Sequence, residues 1–180
     1  MINKFSLDHQ SKNYLIISSD IESRYEMVIT KLGEYFDKSV EKILENPDVM
    51  YVSLPVIDKS GNIISTLSNY ELQMREYGLL DKLDTNRIGN EITIDQIREV
   101  ISFTQISAHK DKKIVILNSA SNMNKEASSA LLKTLEEVSS NCTFILLASS
   151  LNSIAETIKS RCQVLHCLLY TSDAADDSQC

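Results

Sequence analysis

Four short apolar runs, none with regular polar alternation, constrain the fold of this chain more than any other feature. A strand with one wet face alternates apolar and polar residues, whereas a strand buried on both faces is apolar along its length. Helical stretches separate the runs, so successive strands can be connected in parallel. The pattern predicts a three-layer α/β domain with a parallel sheet. The runs are residues 14–18, 49–54, 113–117 and 143–148.

Side-chain spacing predicts where two of the helices begin. Thr93 and Gln96 have the spacing of a capping box, in which each side chain bonds the backbone N–H of the other residue. Asn124 is a favourable N-cap for a helix over residues 124–137. One side of that helix is apolar and is predicted to be buried.

The last part of the chain is predicted to form a short helix, a turn and a strand. Ser153 and Glu156 also have capping-box spacing, which predicts a helix that runs to the turn at residues 160–162. Val164 and Leu165 would then begin a last strand of the sheet.

Composition narrows the class of protein. The chain has 180 residues, 43% hydrophobic and 24% charged, and no apolar run approaches the length of a membrane span. We therefore expect a cytoplasmic protein without membrane contacts. Its net charge of −7 argues against a direct grip on the DNA backbone, which needs clustered Lys and Arg. The four cysteines form no Cys-x-x-Cys pair, so the sequence predicts neither a metal site nor a cofactor.

The junction after the first predicted strand lacks the residues of a nucleotide site. A P-loop needs Gly-x-x-x-x-Gly-Lys-Ser/Thr, because glycine allows backbone amides to surround phosphates and lysine reaches the terminal ones. Here residues 18–25 read Ser-Ser-Asp-Ile-Glu-Ser-Arg-Tyr. The acidic pair that would hold Mg²⁺ after residues 113–117 is replaced by Asn118 and Ser119. Together these losses predict that the chain does not hydrolyse ATP.

Two motifs on either side of the strand at residues 143–148 resemble motifs of clamp-loader subunits. They are Asn-Lys-Glu-Ala-Ser-Ser-Ala-Leu-Leu-Lys-Thr-Leu-Glu-Glu at residues 124–137 and Ser-Arg-Cys at residues 160–162. Among those subunits, the delta-prime subunits of bacterial DNA polymerase III lack a P-loop and keep Ser-Arg-Cys, and the chain resembles their first domain. The resemblance implies an AAA+ fold, like that of P-loop NTPases, with a degenerate nucleotide site.

The same resemblance implies a function. Arg161 would be an arginine finger that enters the ATP site of an adjacent catalytic subunit, and guanidinium suits this role because it is planar, charged and bidentate. Ser160 and Cys162 would shape the interface around it. The chain would be a non-catalytic part of the replicative DNA polymerase holoenzyme. Its implied partners are the clamp-loader ATPase and delta subunits and, through the complex, the sliding clamp and primed DNA.

The chain is interpreted as one domain with an insertion and a foreign tail. Residues 1–166 would be the AAA+-like domain, and residues 55–90 a family-variable insertion with a hairpin around the turn at residues 58–62. Residues 69–83 are predicted to be helical. Residues 167–180 resemble a translated sequencing-library adapter, so we expect this tail to be an artefact.

Other interpretations stay open at the level of sequence. The chain could be an active AAA+ ATPase with a divergent site, or an unrelated α/β protein-binding module. A lone arginine after a helix is commonly a solvated charge favoured by the helix dipole. Glu136 and Glu137 are expected to lie on a solvated helix face, where Lys133 can pair with Glu137.

Overall fold

The computed structural model describes residues 7, 13–39, 42–43, 45–63, 87–110, 112–137 and 141–166. The predicted helix at residues 69–83 and the tail at residues 167–180 lie outside these described residues.

All four apolar runs form strands of one parallel sheet, as predicted, and a fifth strand follows the Ser-Arg-Cys turn. The order across this sheet is β2-β5-β6-β1-β7, and every neighbouring pair is parallel. Two further strands, β3 and β4, pair antiparallel in a separate small sheet. The described strands are β1 (Tyr14–Ile17), β2 (Val49–Val52), β3 (Val56–Ile57), β4 (Arg87–Ile88), β5 (Lys113–Leu117), β6 (Cys142–Ala148) and β7 (Gln163–His166).

Helices cover both faces of the parallel sheet, which confirms the three-layer prediction. The described helices are α1 (Ile21–Phe36), α2 (Ile94–Gln105), α3 (Lys125–Glu137) and α4 (Glu156–Lys159). Alternate residues of β5 show the two layers. Ile114 and Ile116 pack in the cluster that contains α1 residues, whereas Val115 and Leu117 pack with residues of α2 and α3. All four side chains are buried, so neither face of this strand meets water.

The predicted cap of α3 is confirmed, and α2 begins at its predicted capping box, in which the bond from Thr93 N–H to Gln96 is formed. The Gln96 side chain accepts a hydrogen bond from Thr93 N–H at 3.1 Å in the capping box of α2. Gln96 Nε2 also donates to the carbonyl of Ser53 at 2.8 Å, which ties this helix to the end of β2. At the start of α3, Asn124 Oδ1 accepts from Ala127 N–H at 2.9 Å. The bonds from Thr93 N–H and Ala127 N–H satisfy backbone donors at the helix starts that have no partner within the helix.

The predicted capping box of α4 is wrong. Ser153 lies in a separate 3-10 turn, Leu151–Ser153, and its hydroxyl donates to the Ser150 carbonyl at 2.6 Å. The helix begins at Glu156 with Ala155 as its N-cap residue. Serine favours such local backbone bonds, and here that preference replaces the cap.

The predicted hairpin after β3 is confirmed. Ile57 and Ile63 form an antiparallel bridge around a turn. The Asp58 carboxylate accepts from the N–H groups of Ser60 and Asn62, each at 2.8 Å. The bond from Asn62 is the main reason that the pKa of Asp58 lies below its ordinary value. The sequence did not predict that β3 also pairs with β4.

We predict that Asn124→Ala destabilises the chain by about 1 kcal/mol, because it removes the acceptor for Ala127 N–H. Asn124→Asp is the matched control, since aspartate keeps the acceptor and places negative charge at the helix N-terminus. Urea unfolding followed by circular dichroism measures both variants. Equal unfolding free energies for the alanine variant and the wild type would contradict this role of Asn124.

Candidate functional site

The residues singled out by sequence lie at opposite edges of the sheet. The β1–α1 junction and Asn118 follow the carboxyl ends of β1 and β5. Arg161 lies between α4 and the start of β7, which runs parallel to β1 with Gln163 beside Tyr14. Arg161 is therefore at the amino edge. In open α/β sheets ligands bind at the carboxyl ends of the strands. Arg161 lies at the amino ends, which is the opposite end of the sheet from that position.

The β1–α1 junction is too short for a phosphate-binding loop. β1 ends at Ile17 and α1 begins at Ile21, so three residues link them. The Ser18 hydroxyl is turned toward this link and accepts from Asp20 N–H at 3.1 Å. A P-loop needs several further residues between strand and helix to wrap its amides around phosphates. Here that length of chain is already helical.

The carboxyl end of β5 has no acidic side chain. Asn118 is buried, and its N–H donates to the carbonyl of Val52 at 2.8 Å, which continues the pairing with β2. Ser119 adopts a left-handed backbone conformation with φ of 55° and leads into the 3-10 turn Ala120–Asn122. An amide and a hydroxyl supply neutral oxygens, whereas Mg²⁺ at this position of an ATPase is held by carboxylate.

Arg161 is held against the surface by three acceptors. Its Nη1 donates to the carbonyl of Thr157 at 2.8 Å and to the hydroxyl of Ser160 at 3.2 Å. Its Nη2 forms a hydrogen bond and ion pair with Glu136 Oε1, in the last turn of α3. The arginine side chain is 34% exposed, so an incoming group can still reach the guanidinium.

Ser160 and Cys162 face different surroundings on either side of Arg161. Ser160 is exposed, and its hydroxyl donates to the Thr157 carbonyl at 3.0 Å while it accepts from Arg161. Cys162 is half-buried and packs against the main apolar cluster. Burial raises the pKa of the Cys162 thiol to about 12. The thiol is thus a packing group at neutral pH and the serine is a polar contact of the arginine.

Sequence reasoning missed the pairing of Glu136 with Arg161. The two residues are 25 positions apart, so no helical spacing reveals the contact. Glu136 lies on an exposed face of α3, as predicted, with a side chain that is 51% exposed, and it also pairs with Arg161. Glu137 and Lys133 are both exposed on α3, as expected for a solvated face.

The thiols of Cys142, which is buried, and Cys162, which is half-buried, give a pH dependence that can be tested. Burial raises the pKa of both Cys142 and Cys162 from an ordinary value of 9.0 to about 12. Above pH 9 the unfolded chain therefore binds fewer protons than the folded chain, and the unfolding free energy falls as pH rises. Urea midpoints measured between about pH 8 and about pH 10.5 should fall less steeply for the Cys142→Ala/Cys162→Ala variant. Parallel slopes for variant and wild type would contradict this prediction.

The part of the chain that the structure describes contains no group of three or more His, Cys, Asp or Glu side chains placed to hold a metal ion. No helix in the described ranges has the length and apolar character needed to cross a membrane.

Curated relatives come from bacterial and eukaryotic replication proteins. The DNA polymerase III subunit delta' of Haemophilus influenzae is 40% identical over 77 residues, which cover 42% of this chain and 24% of the relative. The corresponding protein of Pseudomonas aeruginosa is 35% identical over 88 residues, 48% of this chain and 27% of the relative. Replication factor C subunit 5 of Neurospora crassa is 29% identical over 137 residues, 75% of this chain. The chain spans only 24% to 36% of the length of these relatives.

A solved structure shares the fold. The crystal structure of a DNA polymerase III gamma subunit-related protein from Thermotoga maritima matches with a TM-score of 0.63. The match covers 91% of this chain and 43% of the other, at 19% sequence identity. At that identity the similarity establishes a shared fold and no shared activity.

A family model assigns the chain more directly. The model described as "DNA polymerase III, delta subunit" matches residues 69–168, which is more than half of the chain and includes Glu136, Arg161 and both flanking residues of the Ser-Arg-Cys turn. With the subunit delta' relatives, this match identifies a clamp-loader AAA+ domain. The chain belongs to the DNA polymerase III delta subunit family.

Proposed function

We propose that this chain is a non-catalytic clamp-loader subunit that supplies Arg161 to the ATP site of a neighbouring ATPase subunit. In this role the guanidinium stabilises charge on the phosphoryl group as it is transferred. Ser160 and Cys162 complete the interface, one as a polar contact of the arginine and the other as the packed base of its turn.

The observation that carries this proposal is the position of Arg161 at the amino edge of the sheet, exposed to solvent. The chain's own nucleotide position would be at the carboxyl edge, beyond β1. The four residues of β1 separate the two edges by about 10 Å along the strand. This separation supports a role in trans, because a neighbour that docks on the amino edge would meet Arg161 and the chain's own nucleotide position lies at the opposite edge.

The β1–α1 junction supports the non-catalytic part of the proposal. Three linking residues and the neutral pair Asn118 and Ser119 leave neither a phosphate cradle nor a magnesium carboxylate. Energy for the complex would then come from ATP on the adjacent subunit. The chain itself would contribute the interface and Arg161.

Partners and location follow from the same proposal. The partners are the clamp-loader ATPase and delta subunits and, through them, the sliding clamp and primed DNA. A chain with net charge −7 is suited to reach DNA through other subunits, because it lacks the excess of cations that phosphate contacts require. Its place of action would be the cytoplasm, where the bacterial chromosome is replicated.

Assembly with cognate subunits tests the proposal. The chain is mixed with the clamp-loader ATPase and delta subunits encoded by the same genome and analysed by size-exclusion chromatography with light scattering. We expect a stoichiometric complex, and we expect the chain alone to show no saturable Mg-ATP binding by calorimetry. A chain that elutes apart from both subunits would contradict the proposal.

A divergent AAA+ ATPase is the second candidate, because the chain has an AAA+ domain and a fold alone does not determine activity. The Mg-ATP titration separates the two functions, since saturable binding with turnover by the isolated chain would favour the ATPase. The family match excludes the other alternative, an unrelated α/β protein-binding module.

A further inference from the structure

We propose that Glu136 is a positioning residue for Arg161. Its carboxylate fixes the guanidinium so that the remaining N–H groups point toward a phosphate group on the adjoining subunit. This inference rests on the proposed function and extends it from one residue to a pair.

The hydrogen bonds around Arg161 define one orientation. A guanidinium has five N–H donors. Three are engaged, by the Thr157 carbonyl, the Ser160 hydroxyl and the Glu136 carboxylate. The other two have no hydrogen-bond partner among the described residues. Thr157 and Ser160 belong to the segment that carries Arg161. Among the described residues, Glu136 is therefore the one hydrogen-bond partner that ties the guanidinium to another element of the fold.

The charges of the surrounding elements favour this pair. Glu136 lies in the last turn of α3, and that turn contains no basic residue. A carboxylate at a helix C-terminus is unfavourable because the carbonyl groups there are themselves partly negative. The Arg161 cation, paired with Glu136, offsets this unfavourable interaction.

The pair is too exposed to be explained by stability. The two side chains are 34% and 51% exposed, and ion pairs of this kind contribute little to folding. The ion pair can still matter for the orientation of the guanidinium. An arginine that samples many rotamers faces a phosphate for only part of the time. Loss of positioning at a reacting group commonly lowers the rate by an order of magnitude or more.

The test uses the complex of this chain with its cognate ATPase subunits and measures kcat and KM for ATP. We expect Glu136→Ala to lower kcat on the order of tenfold, with KM and assembly unchanged because ATP is bound by the other subunit. Glu136→Gln, which keeps an acceptor without the charge, should lie between alanine and wild type. Glu137→Ala is the matched control on the same helix and should equal wild type.

A double variant separates positioning from a general effect on the surface. If Glu136 acts through Arg161, Glu136→Ala adds nothing to the defect of Arg161→Ala. Normal or raised kcat for Glu136→Ala, beside a clear defect for Arg161→Ala, would overturn the positioning role and leave the proposed function intact. Normal kcat for Arg161→Ala would overturn both.

A readout on the chain alone does not depend on activity. When rotation of a guanidinium is restricted, its two Nη groups give separate nitrogen NMR signals, and free rotation merges them. We expect separate Nη signals for Arg161 in the wild type and in Glu137→Ala. We expect the two signals to merge in Glu136→Ala. Merged signals in the wild-type chain would overturn the proposal.

Discussion

Replacing Arg161 with alanine is expected to lower ATP hydrolysis on the order of 10³-fold at the site to which this chain contributes. The reason is that the Arg161 guanidinium is a planar, permanently charged donor to the transferring phosphoryl group, and alanine supplies no donor in its place. Pre-steady-state hydrolysis by the reconstituted complex measures the effect at that site. Assembly should be unchanged, because an exposed ion pair contributes little to the fold that presents the interface.

Two further variants make this result interpretable. Arg161→Lys keeps the charge but loses the fork of donors, so it should recover little of the rate. Arg98→Ala removes an exposed arginine from α2 that pairs with Asp95 and not with Glu136, and it should leave the rate unchanged. If the complex with Arg161→Ala hydrolyses ATP at the wild-type rate, the arginine-finger role is contradicted.

Replacing Asp48 with alanine is expected to destabilise the chain by about 3 kcal/mol or more. The Asp48 carboxylate is completely buried and accepts from the N–H groups of His109 and Lys110, at 2.8 and 2.9 Å. It thereby holds the loop between α2 and β5 against the start of β2. Alanine would leave two backbone donors without their charged acceptor, and such bonds contribute about 1.5–3 kcal/mol each.

Urea unfolding measures the effect of Asp48→Ala against a matched control. Asp95→Ala removes an aspartate that is 73% exposed and pairs with Arg98, so its cost should stay below about 1 kcal/mol. Asp48→Asn keeps one acceptor and should lie between the two. If Asp48→Ala unfolds at the same urea concentration as Asp95→Ala, the buried carboxylate does not hold the loop.

The sheet could be predicted from sequence because burial on both faces leaves a local signature. The runs that became β1, β2, β5 and β6 are largely apolar at successive positions, and their short length favours buried strands over buried helices. The caps at Thr93 and Asn124 were predictable for a similar reason, since a cap depends on residues within one turn.

The contacts that define the site could not be predicted from local patterns. Glu136 meets Arg161 across 25 positions, and Asp48 meets Lys110 across 62. Such contacts depend on where the sheet brings loops together, which a single sequence does not reveal. The prediction of a capping box at Ser153 failed for a different reason. The Ser153 hydroxyl could either cap α4 or bond a nearby backbone carbonyl, and it bonds the Ser150 carbonyl in a 3-10 turn. The role of Arg161 came from family resemblance, and it stays a prediction.

Stimulation of a cognate ATPase subunit by this chain tests the central claim most directly. The ATPase subunit is held at fixed concentration with saturating Mg-ATP, and the chain is titrated into it while phosphate release is followed. The account predicts no hydrolysis by the chain alone and a rate that rises to saturation with wild-type chain but not with Arg161→Ala. Hydrolysis by the chain alone, or equal stimulation by the two forms, would contradict it.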